Sequence, residues 1–377
     1  MTLASGLSQG FPTVDAMASN RTPLGTTPDS PLGAAPDSPL GTAPDSWLGT
    51  TDSPLDDVQL DAELDAAFER HRTELTGYCY RMLGAPSEAE DAVQETMLRA
   101  WRAADRFEGR SSARTWLYRI AHNVCIDMHR SPQRRARPME MGPASRTSEL
   151  VLGDQREEHV FVQPAPDSLV VDLSADPADV AAARESIRLA FVAALQHLPP
   201  KQRSVLILCE VLRMPAAEVA DLLDTSVASV NSALQRARAT LSDRDVEPLG
   251  DPLDEQHQQL LERYVDAFER YDIAELVTLL RDDAVLSMPP WDTWIQGRDD
   301  LHDFYLGPGA ECRGSRLLPI ALNGCAGFAQ YRQVSPGVWR PWSMQVIEVV
   351  DGAISAHHNF LYPETFVAFG FPAELTS

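Results

Sequence analysis

The chain has 377 residues, a formal net charge of -23 and 44% hydrophobic residues. Its length is sufficient for two or three domains. No apolar run reaches the roughly 18 residues that a membrane span needs, and the N-terminus lacks a basic start followed by an apolar core, so a cytoplasmic protein without membrane contact is expected. The five cysteines lack metal-site and disulfide spacing, which predicts buried reduced thiols, no bound metal and no cofactor.

Residues 1–58 contain an octapeptide repeat. The unit P-L-G-T-T-P-D-S begins at Pro23 and recurs with small changes from Pro31 and Pro39. Proline and glycine in each unit oppose helices and sheet ladders, and large apolar groups are too few to offset the entropy of ordering. We therefore expect a disordered tail; a docking tail that uses the leucines and Trp47 is the alternative.

Two amphipathic helices are predicted next. In the first, apolar residues recur at spacings of three and four up to a stop at Gly84. Ser87, with Glu90 three residues later, predicts a capping box at the start of the second helix. The apolar stripe of this second helix, which includes Trp101, is expected to lie in the core.

The stretch from Ala113 to Arg130 has two different faces when it is wound as a helix. One is an apolar stripe that suits a core, and the other is cationic and amide-bearing, which suits phosphates and base edges. Aromatic side chains beside the arginines suit unstacked bases, because a ring replaces lost stacking worth roughly 1–3 kcal/mol per base. Between Arg106 and Arg137, eight arginines stand against two carboxylates.

Residues 60–132 resemble region two of the bacterial extracytoplasmic-function sigma factors, through D-A-V-Q-E-T-M-L-R-A-W-R from Asp91 and S-A-R-T-W-L-Y-R-I-A-H-N from Ser112. The resemblance implies that the second helix binds the clamp of the polymerase beta-prime subunit, and that the following loop and helix recognise the -10 promoter element. The expected polymerase contacts are Asp91, Gln94, Glu95, Leu98 and Arg102. The expected -10 contacts are Arg110, Arg114, Trp116, Arg119, Asn123 and Arg130.

Residues 133–182 are rich in proline, aspartate and serine, which predicts an acidic flexible linker. The resemblance implies that this linker runs near the RNA-exit path of the polymerase, where its acidity mimics nucleic acid. A solvated spacer is the alternative.

Residues 183–245 read as a helix-turn-helix unit, in which Ser226 is a natural N-cap. The phrase S-x-x-x-V-x-S-x-L-x-R-A-R, from Ser226, resembles region four of the same family. The resemblance implies binding to the polymerase beta flap and a second helix in the major groove of the -35 element. Asparagine and glutamine suit base edges and the arginines suit phosphates. The expected -35 contacts are Ser229, Asn231, Ser232, Gln235, Arg236 and Arg238.

Residues 254–377 predict helices followed by a curled antiparallel sheet. The segments A-F-E-R-Y-D-I-A-E-L, D-D-A-V-L-S-M-P-P and G-R-D-D-L resemble the SnoaL-like alpha-plus-beta cone. Asp292 and Asp299 are possible acid-base groups, and because strand residues alternate, only one of His357 and His358 points inward. We assign no catalytic residue. The residues expected to line a cavity are Met288, Trp291, Trp294, Tyr305 and His357.

The expected fold is therefore mainly α, with region two and region four, plus a C-terminal α+β SnoaL-like cone. The resemblance implies an alternative sigma factor that is not an enzyme and that binds core RNA polymerase and promoter DNA, with its activity modulated by the cone. An anti-sigma factor or a small ligand of the cone is a further possible partner. Because the chain is acidic, promoter binding should depend on the holoenzyme. Two alternatives stay open: a SnoaL-like isomerase, cyclase or hydrolase with a helical adaptor, and a helix-turn-helix regulator that works without polymerase.

Overall fold

The computed structural model describes residues 57–104, 112–129, 144–147, 161–241, 255–291 and 293–376. The predicted N-terminal tail, Arg110, Arg130 and Asp292 lie outside these residues. Within them, no helix combines the length and the apolar character that a membrane crossing requires.

Three helices form the first unit: α1 (Asp57–Leu83), α2 (Pro86–Arg102) and α3 (Ala113–His129). The predicted capping box at Ser87 is wrong, because α2 already begins at Pro86 and its N-cap is Ala85, which makes no side-chain capping bond. Proline suits the first helical position since its fixed φ matches a helix and its missing N–H would have no partner there.

Residues 161–182 are folded, so the prediction of a flexible linker does not hold over this part. Phe161, Val162 and Ala165 are fully buried, and two short helices follow, α4 (Asp167–Val170) and α5 (Pro177–Glu185). Phe161 and Val162 belong to a short apolar stretch of the sequence, His159 to Gln163, but without a regular period that stretch does not indicate what it packs against.

The second helical unit contains α6 (Leu189–Gln196), α7 (Pro200–Leu206), α8 (Ala216–Leu222) and α9 (Val227–Leu241). The predicted N-cap is present, because the Oγ atom of Ser226 accepts a hydrogen bond of 3.2 Å from the backbone N–H of Ser229. In α9 only Val230 and Ala237 are buried, so most of this helix faces outward.

The C-terminal unit is an α+β fold with a seven-stranded sheet in the order β2-β1-β6-β5-β4-β3, and β7 pairs with β5. The sheet is antiparallel as expected, except that β1 pairs with β6 in parallel. Its elements are α10 (Glu255–Arg270), α11 (Ile273–Thr278), β1 (Leu280–Ser287), β2 (Trp294–Gln296), α12 (Arg298–Leu306), a 3-10 turn (Pro308–Cys312), β3 (Arg316–Leu322), β4 (Cys325–Ser335), β5 (Val338–Val350), β6 (Ala353–Phe360), α13 (Thr365–Ala368) and β7 (Leu375–Thr376).

Two hydrophobic clusters hold the molecule together. One fills the interior of the C-terminal cone, with Phe268 and Leu286 among its members. The other runs without a break from both helical units to the outer face of the sheet, where Leu322 and Met344 belong to it. The cone therefore shares a core with the helical units.

The turn between β3 and β4 is the point where the cone meets the helical units. Asn323 (φ 54°) and Gly324 (φ 72°) both have positive φ, as a two-residue hairpin of this kind requires. Asn323 is fully buried. A Cβ atom on Gly324 would lie 2.7 Å from the carbonyl oxygen of Arg184, so only glycine permits this close approach.

The side chain of Asn323 bonds to three separate segments. Its amide nitrogen donates to the Tyr80 hydroxyl of α1 at 2.7 Å and to the carbonyl of Ile187 at 2.6 Å. Its amide oxygen accepts from the backbone N–H of Ala165 at 2.8 Å. One buried amide therefore connects the cone, α1, the folded linker and the start of the second helical unit.

We predict that Asn323→Ala lowers the free energy of unfolding by about 3 kcal/mol, because each of the three bonds contributes roughly 1 kcal/mol and their partners stay buried. Urea unfolding followed by circular dichroism measures the loss. Asp351→Ala is the matched control, since Asp351 also has a positive φ, 52°, but is exposed. If both variants lost the same free energy of unfolding, backbone strain alone would explain the effect and the three hydrogen bonds would not.

Candidate nucleic-acid and polymerase interface

The outer face of α2 carries the predicted polymerase contacts. Asp91, Gln94 and Arg102 are exposed, Glu95 is half-buried, and Leu98 is 43% exposed. A large apolar side chain left in solvent beside polar groups is typical of a protein docking surface.

Trp101 adds to this surface, which corrects its assignment to the core. It is 45% exposed, and its indole N–H donates to the carboxylate of Asp65 at 2.9 Å. The residue lies three positions after Leu98, so both side chains project from neighbouring turns of one helix.

Two of the predicted -10 residues are engaged within the first helical unit. Arg114 forms a salt bridge with Glu74 of α1, and this hydrogen bond raises the pKa of the guanidinium further. Its guanidinium also lies 5.2 Å from the centre of the Tyr118 ring. Trp116 is 7% exposed and belongs to the core cluster. Arg114 and Trp116 therefore hold α3 in place in this state.

Helix α8 covers the polar face of α3. The hydroxyl of Thr115 donates to the carboxylate of Glu218 at 2.8 Å, and the guanidinium of Arg119 donates to the backbone carbonyl of Asp221 at 2.8 Å. Asn123, one turn further along, is exposed. An oxygen acceptor of α8 thus occupies the donor of Arg119 that the sequence assigns to DNA.

His122 lies on the face of α3 that the sequence analysis left open to DNA, yet it is 8% exposed. Its Nδ1 atom lies 2.8 Å from the Ser204 hydroxyl of α7, which is 2.9 Å from the hydroxyl of Tyr78. Burial lowers the pKa of His122 from 6.5 to about 4, and the charge of Lys201 adds to this effect. The imidazole is therefore neutral where the two helical units meet.

Arg203 of α7 anchors the same contact. Its guanidinium donates to the carbonyl of Met82 and to the side-chain oxygen of Gln196 at 2.6 Å, and it lies 2.6 Å from the Nε2 atom of His129. Burial lowers its pKa to about 10, so the guanidinium keeps its charge near neutral pH. A buried cation with several acceptors fixes the second helical unit against the ends of α1 and α3.

Among the residues that the structure describes, no segment covers the outward face of α9 in this way. The salt bridge from Arg238 to Glu210 is exposed and stays within the second helical unit. Amide and hydroxyl side chains therefore occupy the N-terminal part of an open helix, as base readout requires. All six predicted -35 residues are exposed: Ser229, Asn231, Ser232, Gln235, Arg236 and Arg238.

The cone encloses a cavity of about 30 Å³, lined in part by Met288, Tyr305 and His357. Trp291 and Trp294, which were also expected to line the cavity, are not among its lining residues; Trp291 packs elsewhere in the cone core. Such a volume holds about one water molecule. It is too small for a metabolite.

The imidazole of His357 uses both nitrogens inside the cone. Tyr264 donates to the amide oxygen of Gln345 at 2.8 Å, so it accepts from Nε2 of His357 at 3.2 Å. Tyr305 then donates to Nδ1 at 2.8 Å. Burial lowers the pKa of His357 from 6.5 to about 3, with His358 adding to the effect.

No carboxylate is found among the described residues that line the cavity beside His357. Asp299 is exposed on α12, and His358 is instead 2.8 Å from the hydroxyl of Ser287. Both ring nitrogens of His357 are therefore hydrogen-bonded within the core, as expected of a histidine with a structural role.

Sequence reasoning missed Thr115, Glu218 and Asp221, which join α3 to α8, and Asn323, which joins the cone to both helical units. The Asn-Gly pair is a strong turn signal and could have located the hairpin. The partners of these residues lie about a hundred or more positions away, so local patterns carry no trace of them.

Three family models match the chain: Sigma-70 region 2 over residues 67–135, Sigma-70, region 4 over residues 188–241, and the SnoaL-like domain over residues 261–357. The matches cover the two helical units and most of the cone. From here on, the two helical units are called region two and region four.

The chain is similar to the ECF RNA polymerase sigma factor SigG of Mycobacterium tuberculosis, with 41% identity over 320 residues that cover 83% of this chain and 85% of the relative. SigJ of the same organism is 29% identical, over 79% of this chain and 92% of the relative. The crystal structure of SigJ covers 80% of this chain and 98% of its own, with a TM-score of 0.52 and 25% identity. The chain therefore belongs to the extracytoplasmic-function sigma factors: it is an alternative sigma factor of bacterial RNA polymerase with a C-terminal SnoaL-like domain.

Proposed function

We propose that the structure is the closed state of this sigma factor, in which region four blocks the -10 surface of region two. The observation that carries the proposal is the hydrogen bond from Arg119 to the carbonyl of Asp221. A guanidinium cannot give the same donor to a promoter phosphate or base at the same time. Region four must therefore move away from α3 before Arg119 can give this N–H to a -10 element, whereas Asn123 is already exposed.

The polymerase-binding face does not depend on this movement. Leu98 and Trp101 are exposed in the closed state, so the clamp of the beta-prime subunit can bind α2 first. The beta flap then binds region four and separates it from α3. In the open state, α3 reads the -10 element, α9 reads the -35 element, and the complex acts in the cytoplasm.

The SnoaL-like domain modulates this opening through Asn323. Its bonds to Tyr80, Ala165 and Ile187 exist together only when region two, the folded linker and region four are in their closed positions. The small cavity with its saturated His357 favours a regulatory role over catalysis. The binding face on α2 favours a polymerase subunit over a regulator that works alone.

Transcription with purified core polymerase on a library of genomic fragments tests the proposal. The full chain should produce defined start sites, and Asn323→Ala should raise output when core polymerase is limiting, because the closed state is weakened. Absence of start sites would support the enzyme alternative. Operator binding without core polymerase would support the independent regulator.

We predict that Asn231→Ala changes which -35 sequences are used, since loss of an amide contact to a base edge costs about 1–3 kcal/mol of discrimination. Arg238→Ala should instead weaken binding evenly across sequences, because a phosphate contact carries no sequence information. Sequencing of transcripts from a randomised -35 library measures both effects. A base-specific change in the Arg238 variant would reverse the two assignments.

We predict that acid opens the closed state through His122. Well above pH 6.5 the imidazole is neutral in both states; as the pH falls through 6.5 towards about 4, the open state takes up a proton and the closed state does not. The closed state loses up to about 3 kcal/mol over this interval. Energy transfer between dyes on region two and region four measures the separation.

The control for this measurement is His122→Gln, which has no titrating group at this position. Its dye separation should change less between pH 6.5 and pH 4 than that of the parent chain. Identical pH profiles for the two proteins would show that other groups control the opening.

A further inference from the structure

A solvent-open groove lies between α10 and the β3–β4 hairpin, separate from the cavity at His357. Its volume is about 960 Å³, within the range of roughly 300–1,000 Å³ that small-molecule sites occupy. The walls are a helix and a paired hairpin, so the groove exists before any ligand arrives.

The groove has an apolar floor and an acidic rim. Leu261, Val265 and Phe328 contribute to the floor. The rim carries the three carboxylates of Glu262, Asp266 and Glu269. At one end of the groove the buried carboxylate of Asp167 is paired with Arg184.

The carboxylates of α10 differ in their availability. Glu269 accepts the backbone N–H of Leu317 at 2.8 Å, and Asp266 pairs with Arg270 in full solvent. Glu262 is exposed and forms no ion pair with any residue that the structure describes. The rim therefore attracts positive charge, while the floor favours an apolar body.

The free edge of β3 is poorly suited to pair with a peptide strand. Residues 317, 319 and 321 turn their backbone groups away from β4, but Glu269 already caps the N–H of Leu317 and Pro319 has no N–H. Of these three outward positions only Ala321 keeps an N–H for an added strand, which weakens pairing along this edge. This favours a small molecule over an extended segment of another protein.

We propose that this groove binds an amphipathic organic cation. The positive group lies against Glu262 and Asp266, and the apolar body lies on Leu261, Val265 and Phe328. An anion of the same size meets the repulsion of the carboxylate rim and is rejected.

The shape of the groove depends on the closed state of the sigma factor. Asp167 accepts from the N–H of Gly324 at 2.8 Å and from Arg184 at 3.0 Å, so one end of the groove is built from the linker. The groove is complete only while the hairpin is docked there. A ligand that binds the docked form alone stabilises it, by a factor of about 100 when its concentration is 100 times Kd.

Decylammonium and decanoate, used below their micelle concentrations, are the probes, because they share a chain and differ in charge. Calorimetry with the full-length protein should show saturable binding of one decylammonium, at least about tenfold tighter than decanoate. The double variant Glu262→Gln, Asp266→Asn should lose roughly 5- to 10-fold in affinity, since two solvated ion pairs are removed. The control Asp351→Asn removes an exposed carboxylate outside the groove and should bind as the parent does.

Equal affinity for decanoate, uptake without saturation, or an unchanged double variant would overturn the site. The inference that the ligand stabilises the closed state rests on the proposed function and has its own measurement. Saturating decylammonium should lower transcription by the parent protein and leave transcription by the double variant unchanged. Normal binding with unchanged transcription would overturn that inference alone. Failure of the parent to start transcription without any probe would count against the proposed function and leave the calorimetric result intact.

Discussion

The buried amide of Asn323 is the interaction on which the arrangement of the whole chain depends. A buried polar group without partners costs about 1–3 kcal/mol, and this side chain finds its partners on α1, on the folded linker and at the start of region four. All three must be in position at once. The SnoaL-like domain is therefore coupled to the geometry of the two DNA-binding regions and is more than an appendage.

In the closed state that we propose, region four and DNA compete for the same donors of α3. Thr115 and Arg119 are suited to the oxygen acceptors of DNA, and α8 offers a carboxylate and a carbonyl in their place. Each such bond contributes roughly 1 kcal/mol, so binding of polymerase can supply enough free energy to separate the regions. The net charge of -23 acts in the same direction, because an acidic protein is repelled by free DNA.

The cone has the SnoaL-like fold with a nearly filled interior. Tyr264 and Tyr305 take up both nitrogens of His357, and the remaining cavity is about 30 Å³. The open space lies outside, between α10 and the β3–β4 hairpin. A ligand bound in this groove would lie next to Gly324, and therefore beside the Asn323 contact that holds region two and region four together.

The sequence alone determined the features whose causes are local. Helical periodicity indicates α2 and α9, Ser226 is recognisable as an N-cap, and the phrases around Asp91 and Ser226 identify the two sigma regions. The order of helices and strands in the cone also follows from patterns within a few residues. The exposed side chains of α9 can be named in advance because one helical face with small polar groups has few other uses.

Only the tertiary structure decided which of these surfaces are available. Asn323 meets Tyr80 across 243 positions and Thr115 meets Glu218 across 103, and no periodicity within a helix or strand encodes such pairs. For the same reason the burial of His122, the exposure of Trp101 and the folding of residues 161–182 do not follow from the sequence, because whether a side chain is buried depends on the segment that packs on it. The local pattern fixes which face a residue occupies, and the distant partner fixes whether that face meets solvent, DNA or the rest of the chain.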